Sequence, residues 1–202
     1  MKRLIVSNLM SLDGFVAGPT GELDWFVHEG FLKGTEFGQY AREVISSVDA
    51  ILLGRLTYKE FASYWPTATE DDPVITERIN NLPKVVFSRT LEKVEWGKWN
   101  NARLVRDHAA EEVRRMKRDQ GKDLVIYGSA TLVSSLMREG LIDEFQIFVQ
   151  PVVLGKGKPE FLWNASGLEG WYRLRLVKAV PFKSGAVGLY YRPESSEGTS
   201  SR

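Results

Sequence analysis

The chain has 202 residues and lacks cysteine altogether. This absence excludes disulfide bonds, thiolate metal sites and a cysteine nucleophile, and we expect no metal cofactor. A chain without cysteine suits a reducing compartment, so we expect a cytoplasmic location. Long hydrophobic runs are missing as well. None approaches the ~20 apolar residues that a membrane span needs, so we expect no membrane partner.

An excess of one charge sign is also absent. The 27 basic and 26 acidic residues leave a formal net charge of +1. Proteins that bind nucleic acid through bulk charge carry a clear basic surplus, so we expect no nucleic-acid partner, and any anion site must be local. Hydrophobic residues make up 43% of the chain, which is enough to fill the core of one globular domain.

Strand-length apolar runs alternate with helical patterns along the first two thirds of the chain. The predicted strands are residues 4–9, 50–53, 84–87, 101–105 and 124–127. Helical patterns separate most of these runs, and in one of them Asp107 is predicted to cap a helix that ends at Gly121. This alternation predicts an α/β domain with a mostly parallel central sheet.

The pattern changes near the C-terminus. Three further strands are predicted there, over residues 145–154, 172–180 and 186–191. No helical segment separates the last two, and Lys183-Ser184-Gly185 suits a hairpin turn, so we expect an antiparallel edge of the sheet. The simplest division is a single domain over residues 1–192, followed by a polar, disordered tail over residues 193–202.

Two junctions of the form strand–glycine–helix favour phosphate binding. The first is Gly54-Arg55-x-Thr57, with an arginine and a hydroxyl in the first helical turn, and the second is Gly128-Ser129-Ala130-Thr131. Helix N-termini present unpaired N–H groups and a partial positive charge, glycine lets the backbone approach closely, and an arginine fork matches phosphate oxygens. Taken alone, either glycine can equally serve a tight turn.

A third segment, Ser88-Arg89-Thr90, directly follows the predicted strand 84–87. A hydroxyl beside a guanidinium suits an additional phosphate such as the 2′-phosphate of NADPH, although an ordinary strand exit has the same composition. Because ligands of open α/β sheets sit outside the carboxyl ends of the strands, we expect these segments to meet at one edge. Neither G-x-G-x-x-G nor G-x-x-x-x-G-K-[ST] occurs, so the prediction depends on the combination.

Four segments in this order resemble the dihydrofolate reductase-like superfamily, and most closely its branch with the reductase domain of bacterial riboflavin biosynthesis. They are Ser11-Leu12-Asp13-Gly14-Phe15-Val16-Ala17, Gly54-Arg55-x-Thr57-Tyr58, Gly128-Ser129 and Pro151-Val152-Val153-Leu154-Gly155-Lys156-Gly157. The resemblance covers residues 2–192. It implies a three-layer α/β fold, with helices on both faces of the sheet, and NADPH-dependent hydride transfer.

The resemblance also implies which residues hold the cofactor, NADPH. In chain order they are Val16, Ala17 and Gly18 beside the nicotinamide, Gly54, Arg55 and Thr57 at the phosphates, Ser88 and Arg89 at the 2′-phosphate, and Gly128, Ser129, Ala130 and Thr131 around the pyrophosphate. The residues implied at phosphates coincide with the segments that charge and turn chemistry already indicate.

Candidates for the substrate side lie in three segments. Asp13 is the carboxylate expected to contact polar substrate atoms or relay a proton, with a plain turn residue before Gly14 as the alternative. His28 and Glu29 are further acid–base candidates, near the position where dihydrofolate reductases carry an acidic residue. The substrate-binding candidates are Trp25, Leu154, Gly155 and Lys156.

These expectations leave three functions open. The first is reduction of 5-amino-6-(5-phosphoribosylamino)uracil or a similar small heterocycle, by a reductase without the zinc deaminase that usually accompanies it. The second is reduction of dihydrofolate or another pterin, and the third is NADPH binding without catalysis. The resemblance also favours a homodimer, with Trp163, Trp171 and Tyr172 as candidates for its contact.

Overall fold

The computed structural model describes residues 1–26, 32–161 and 172–194. Its strands are β1 (Leu4–Ser11), β2 (Phe15–Ala17), β3 (Val48–Gly54), β4 (Lys84–Phe87), β5 (Ala102–Val105), β6 (Asp123–Ile126), β7 (Glu144–Gln150), β8 (Lys158–Pro159), β9 (Leu174–Pro181) and β10 (Val187–Pro193). Its helices are α1 (Glu36–Ser47), α2 (Arg55–Tyr64), α3 (Pro73–Asn81), α4 (Ala109–Arg118) and α5 (Ala130–Arg138). The predicted site residues His28 and Glu29 lie outside the described residues.

Eight of the strands form one sheet in the order β5-β4-β3-β6-β1-β7-β10-β9. The first six run parallel, whereas β10 is antiparallel to both of its neighbours, β7 and β9. The mostly parallel sheet with an antiparallel C-terminal edge is therefore confirmed. Because β6 lies between β3 and β1, the segments that follow these three strands emerge side by side. The strands β2 and β8 form a separate antiparallel pair.

Helices cover both faces of this sheet. Successive residues of β3 alternate between two cores: Leu52 packs in the core beneath α4 and α5, whereas Ile51 and Leu53 pack in the core beneath α1, α2 and α3. None of the three has any exposed surface. A strand buried on both faces has no polar alternation, which is why the sequence there is an unbroken apolar run. The arrangement is the three-layer architecture that the sequence predicts.

Two helix starts differ from the sequence expectation. The apolar patterns do not predict α3, which begins where Asp72 accepts hydrogen bonds from the N–H groups of Val74 and Ile75. The structure also corrects the predicted cap of α4. His108 rather than Asp107 stands at the N-cap position, in a left-handed conformation and without a capping side chain. The charge pattern alone did not distinguish these two neighbours.

Boundaries near the C-terminus are corrected as well. The strand β7 ends at Gln150, because Pro151 cannot donate to the sheet ladder. The strand β10 continues to Pro193, which pairs with Leu174, so the fold extends into the predicted tail. Residues 195–202 lie outside the described part, as do Trp163 and Trp171. Tyr172 packs against the ring of Phe145 within the chain, and the homodimer stays a prediction.

In the described ranges the longest helix, α1, has 12 residues, and no helix is long and apolar enough to cross a membrane.

A lysine without solvent exposure closes the C-terminal end of α3. The Nζ of Lys84 donates hydrogen bonds to the backbone oxygens of Ile79 at 2.9 Å and Asn80 at 2.6 Å. It also lies 4.2 Å from the centre of a Trp96 ring. Burial lowers the pKa of Lys84 to about 7. These contacts supply the partners that a buried amine requires.

We expect Lys84→Met to lower the free energy of unfolding by ~1–3 kcal/mol, because it removes the donor of two hydrogen bonds to buried carbonyl oxygens while it keeps most of the side-chain volume. The oxygen of Asn80 keeps a second donor, Nδ2 of Asn101 at 2.8 Å, so most of the loss comes from the oxygen of Ile79. Urea denaturation at pH 7 measures the change. Lys183→Met, which removes an exposed lysine, is the matched control and should change stability by less than ~0.5 kcal/mol. A loss no larger than that of the control would show that these carbonyl groups find other donors.

Candidate active site

One cavity of about 1080 Å³ opens at the carboxyl ends of the parallel strands. Its wall contains every predicted cofactor-binding residue except Gly18, namely Val16, Ala17, Gly54, Arg55, Thr57, Ser88, Arg89, Gly128, Ser129, Ala130 and Thr131. Gly18 is not among the described lining residues, and its N–H donates to the backbone oxygen of Glu22. The sheet therefore brings together segments that are far apart in the sequence, as the strand order requires.

Three helices begin at this cavity without a side-chain cap. They are α2, α4 and α5, and their N-cap residues Gly54, His108 and Ser129 accept no side-chain capping hydrogen bond. The N-cap residues of α1 and α3, Thr35 and Asp72, do cap their helices and do not line the cavity. Free N–H groups and the positive ends of three helix dipoles thus face one space. This arrangement suits a ligand with several phosphate groups.

The backbone is conformationally unusual at two of these helix starts. His108 has a φ of 57° and Ser129 a φ of 62°, in the left-handed region that side chains disfavour. No other non-glycine residue of the described ranges has a positive φ. Gly128, with a φ of 59°, precedes Ser129, so two consecutive left-handed residues turn the chain from β6 into α5. Backbone strain of this kind concentrates at ligand sites.

Two glycines let the loops after β3 and β6 interlock. The N–H of Gly54 donates to the hydroxyl of Ser129 at 2.6 Å, and that hydroxyl donates to Oγ1 of Thr57 at 3.2 Å. A Cβ on Gly54 would lie 2.6 Å from the Ser129 oxygen, and a Cβ on Gly128 would lie 2.5 Å from Oγ1 of Thr57. Both glycines are therefore required by the approach of one loop to the other, and the Ser129 hydroxyl is engaged in that contact.

Two arginine side chains, Arg89 and Arg106, lie in the part of the cavity formed by the segments after β4 and β5. Arg89, with a side chain 87% exposed, lies 3.9 Å from Asp107. Arg106 also lines the cavity, and so does Ser88, whose hydroxyl accepts hydrogen bonds from two N–H groups of its own turn. The sequence analysis missed Arg106. Its only signal is its place directly after a predicted strand.

The rest of the cavity is mainly apolar. Its wall includes Val16, Leu23, Phe26, Leu32, Phe37, Phe61, Trp65, Ile75 and Ile79. Among the described residues, the ionisable side chains in this part are Glu60, Tyr64, Asp71, Tyr127 and Lys158. The Tyr64 hydroxyl donates to the carboxylate of Asp71, and this hydrogen bond raises the pKa of Tyr64 to about 12. The shape and polarity of this end suit a planar ring system. We name it the substrate end.

The predicted substrate-binding loop lies outside this wall. The Asp13 carboxylate accepts hydrogen bonds from the Ser11 hydroxyl at 2.7 Å and from the N–H groups of Leu154 and Gly155 at 3.1 and 2.7 Å. These bonds, that of Ser11 foremost, lower the pKa of Asp13. Asp13 thus ties two loops together, and its role toward a substrate stays a prediction. The other predicted residues that the structure keeps away from the cavity are Trp25, Leu154, Gly155 and Lys156.

A fully buried carboxylate lies behind the cavity wall. Both oxygens of Glu160 accept hydrogen bonds from Nδ2 of Asn8, at 2.8 and 3.0 Å. Burial raises the pKa of Glu160 to about 7, against the opposing effect of Asn8. Oδ1 of Asn8 accepts from the N–H of Gly128 at 2.6 Å, so Glu160 supports the start of the β6–α5 loop through one side chain. No sequence pattern marks Glu160, because its partner Asn8 lies on β1, far away in the sequence.

Comparison with known proteins agrees with this architecture. The family described as "RibD C-terminal domain" matches residues 2–187. The chain belongs to this family. A relative, YyaP of Bacillus subtilis (strain 168), described as an uncharacterized protein, is 32% identical over 192 residues, and the match covers 94% of each chain.

Solved structures share the fold of this RibD C-terminal domain protein. A candidate riboflavin biosynthesis protein from Shewanella sp. PV-4 is 23% identical, with a TM-score of 0.74, and the match covers 96% of this chain and 99% of that one. Dihydrofolate reductase from Enterococcus faecalis, complexed with NADP(H), is 13% identical, with a TM-score of 0.61 and coverage of 96% and 97%. The dihydrofolate reductase-like fold is therefore confirmed, and the family indicates an oxidoreductase of the riboflavin-pathway reductase type.

Gly54→Ala is expected to lower the free energy of unfolding by ~1–3 kcal/mol, because the added Cβ overlaps the Ser129 side chain. Ser129→Gly removes the overlapping atoms, so the double variant should lose less stability than the sum of the two single losses. A double-mutant cycle by urea denaturation measures this coupling. Additive losses would contradict the direct contact between the two loops.

Glu160 is expected to make stability depend on pH. Its pKa of about 7 in the folded protein exceeds the ordinary value of 4.5, so the folded protein binds more protons than the unfolded chain between these pH values. The contribution of Glu160 to the free energy of unfolding is fully present below pH 4.5 and is lost as the pH rises through 7. The free energy of unfolding of Glu160→Gln, relative to that of wild type, should therefore rise by ~3 kcal/mol between about pH 5 and pH 8.

Denaturation of wild type and Glu160→Gln across this pH range tests the prediction. Glu77→Gln, which changes an exposed carboxylate on α3, is the matched control. Parallel pH profiles for wild type and Glu160→Gln would show that the Glu160 carboxyl ionises normally.

Proposed function

We propose that this protein is a reductase that uses NADPH to transfer a hydride to a C=N or C=O carbon of a small heterocyclic substrate. One observation carries the proposal: three uncapped helix N-termini meet several arginines in a single cavity whose remaining wall is aromatic and aliphatic. The first feature suits a dinucleotide and the second a planar substrate beside it.

The described residues fit the phosphates of this cofactor. The N–H groups at the starts of α2 and α5 would hold the pyrophosphate, together with Arg55, which has no ion-pair partner among the described residues. Arg89 and Arg106, beside the start of α4, would hold the 2′-phosphate. Val16 and Ala17 would lie against the nicotinamide.

The cofactor supplies the hydride when it is bound, so the protein must bind, orient and exclude water. The apolar residues Phe26, Phe61 and Trp65 exclude water from the substrate end. Reduction also adds a proton to the nitrogen or oxygen of the reduced bond. In the described part of the wall, Glu60 and Lys158 are charged groups able to bind or position that atom. His28 and Glu29 stay predictions.

The substrate that we propose first is 5-amino-6-(5-phosphoribosylamino)uracil, because the chain belongs to the RibD C-terminal domain family. Dihydrofolate or another pterin is the second candidate, which the apolar substrate end favours. Oxidation of NADPH in the presence of each compound tests both. Tight NADPH binding without turnover of uracil, pterin or quinone substrates would instead favour a protein that binds NADPH without catalysis.

Arg89→Ala and Arg106→Ala are each expected to raise the Kd for NADPH by about 10-fold and to leave that for NADH nearly unchanged, because each removes one charged contact with the 2′-phosphate. Quenching of tryptophan fluorescence during titration measures both constants. Arg118→Ala, which removes an exposed arginine outside the cavity wall, is the control. An equal loss of affinity for the two cofactors would contradict the 2′-phosphate assignment.

A further inference from the structure

Two opposite charges at the substrate end lack partners in the described part of the chain. Glu60 lies on α2, one helical turn beyond Thr57, and Lys158 lies on β8, where it pairs in register with Ala17. Both line the cavity, and no described residue forms a hydrogen bond or an ion pair with either side chain. Glu60 is exposed and Lys158 is partly exposed, so a ligand that enters the cavity can reach both charged groups.

The two charged groups are close enough to influence each other. Partial burial raises the pKa of Glu60, whereas the charge of Lys158 acts in the opposite direction, so the two charges interact without forming an ion pair. The Lys158 ammonium lies beside Gly21, since a Cβ on that glycine would lie only 3.0 Å from Nζ. The cavity wall therefore presents one anion and one cation from two different elements.

Flat apolar surfaces accompany this pair. Phe61, the neighbour of Glu60, packs against Tyr127 with ring centres 5.8 Å apart, and Phe26 and Trp65 belong to the same wall. Aromatic walls accept planar rings by stacking. An ionised carboxylate only accepts hydrogen bonds, and an ammonium only donates them. A ring that satisfies both groups must offer a donor and an acceptor.

We propose that Glu60 and Lys158 are the specificity-determining pair of this cavity, and that its substrate is a planar heterocycle with both an N–H donor and a C=O acceptor. The carboxylate of Glu60 accepts the N–H, and the ammonium of Lys158 donates to the C=O. Pyrimidinediones and pteridinones meet this requirement, whereas quinones, which have no N–H, do not. The assignment rests on the proposed reductase function, because it gives this end of the cavity to the substrate.

Lumazine (pteridine-2,4-dione) and 1,3-dimethyllumazine are the probes. The two methyl groups remove both N–H donors and keep the ring and its carbonyl groups. Titration calorimetry measures the binding of each probe, with and without saturating NADP⁺, which cannot donate a hydride. Wild type is expected to bind lumazine at least about 10-fold more tightly than the dimethyl compound.

Variants separate hydrogen bonding from steric exclusion of the methyl groups. Glu60→Leu should weaken lumazine binding about 10-fold and leave the dimethyl compound unchanged, so the preference disappears. Glu60→Gln retains a hydrogen-bond acceptor, so its preference for lumazine should lie between those of wild type and Glu60→Leu. Lys158→Met should weaken both probes, because both keep their carbonyl groups. Lys59→Met, which removes an exposed charge next to Glu60, should change neither.

The outcomes distinguish this proposal from the cofactor assignment. Equal affinity for the two probes, or a preference that Glu60→Leu leaves intact, overturns the pair. If the protein binds NADP⁺ but not lumazine, the proposed pair is also overturned, whereas the cofactor assignment stands. If the protein fails to bind NADP⁺ but prefers lumazine, and Glu60→Leu abolishes this preference, the proposed specificity pair is supported. The proposed reductase function is then contradicted.

Discussion

The close approach of the loops after β3 and β6 is the constraint on which the candidate site depends. Because β6 pairs directly with β3, these loops lie side by side, and their side chains are in contact. Gly54 makes room for the side chain of Ser129, and Gly128 makes room for that of Thr57. The reciprocal contact aims the N-termini of α2 and α5 at the same space, which neither helix could achieve alone.

The helices divide according to what satisfies their first-turn N–H groups. Thr35 and Asp72 cap α1 and α3, which stabilise the fold without a ligand. The helices α2, α4 and α5 leave these groups open at the cavity, and two of them begin with a strained left-handed residue, His108 or Ser129. An anionic ligand that binds at these helix starts would complete their hydrogen bonding and stabilise the folded protein.

Polar contacts behind the wall join the small β2–β8 pair to the main sheet. Glu160 reaches Gly128 through Asn8, and Asp13 holds the N–H groups of Gly155 and its neighbour. These two carboxylates support the site from outside the cavity. Asp13 also ties the loop that follows β7 to the turn between β1 and β2.

The sequence by itself determined the α/β class and the strand–glycine–helix segments that line the cavity, since a junction such as Gly54-Arg55-x-Thr57 depends on consecutive residues. It did not reveal α3, because this short helix has no long apolar pattern. Tertiary structure alone decided which isolated charged residues face or support the cavity: Glu60, Arg106, Lys158 and Glu160. The physical reason is that backbone preference is local, whereas contacts across a sheet depend on strand order, which no short segment specifies.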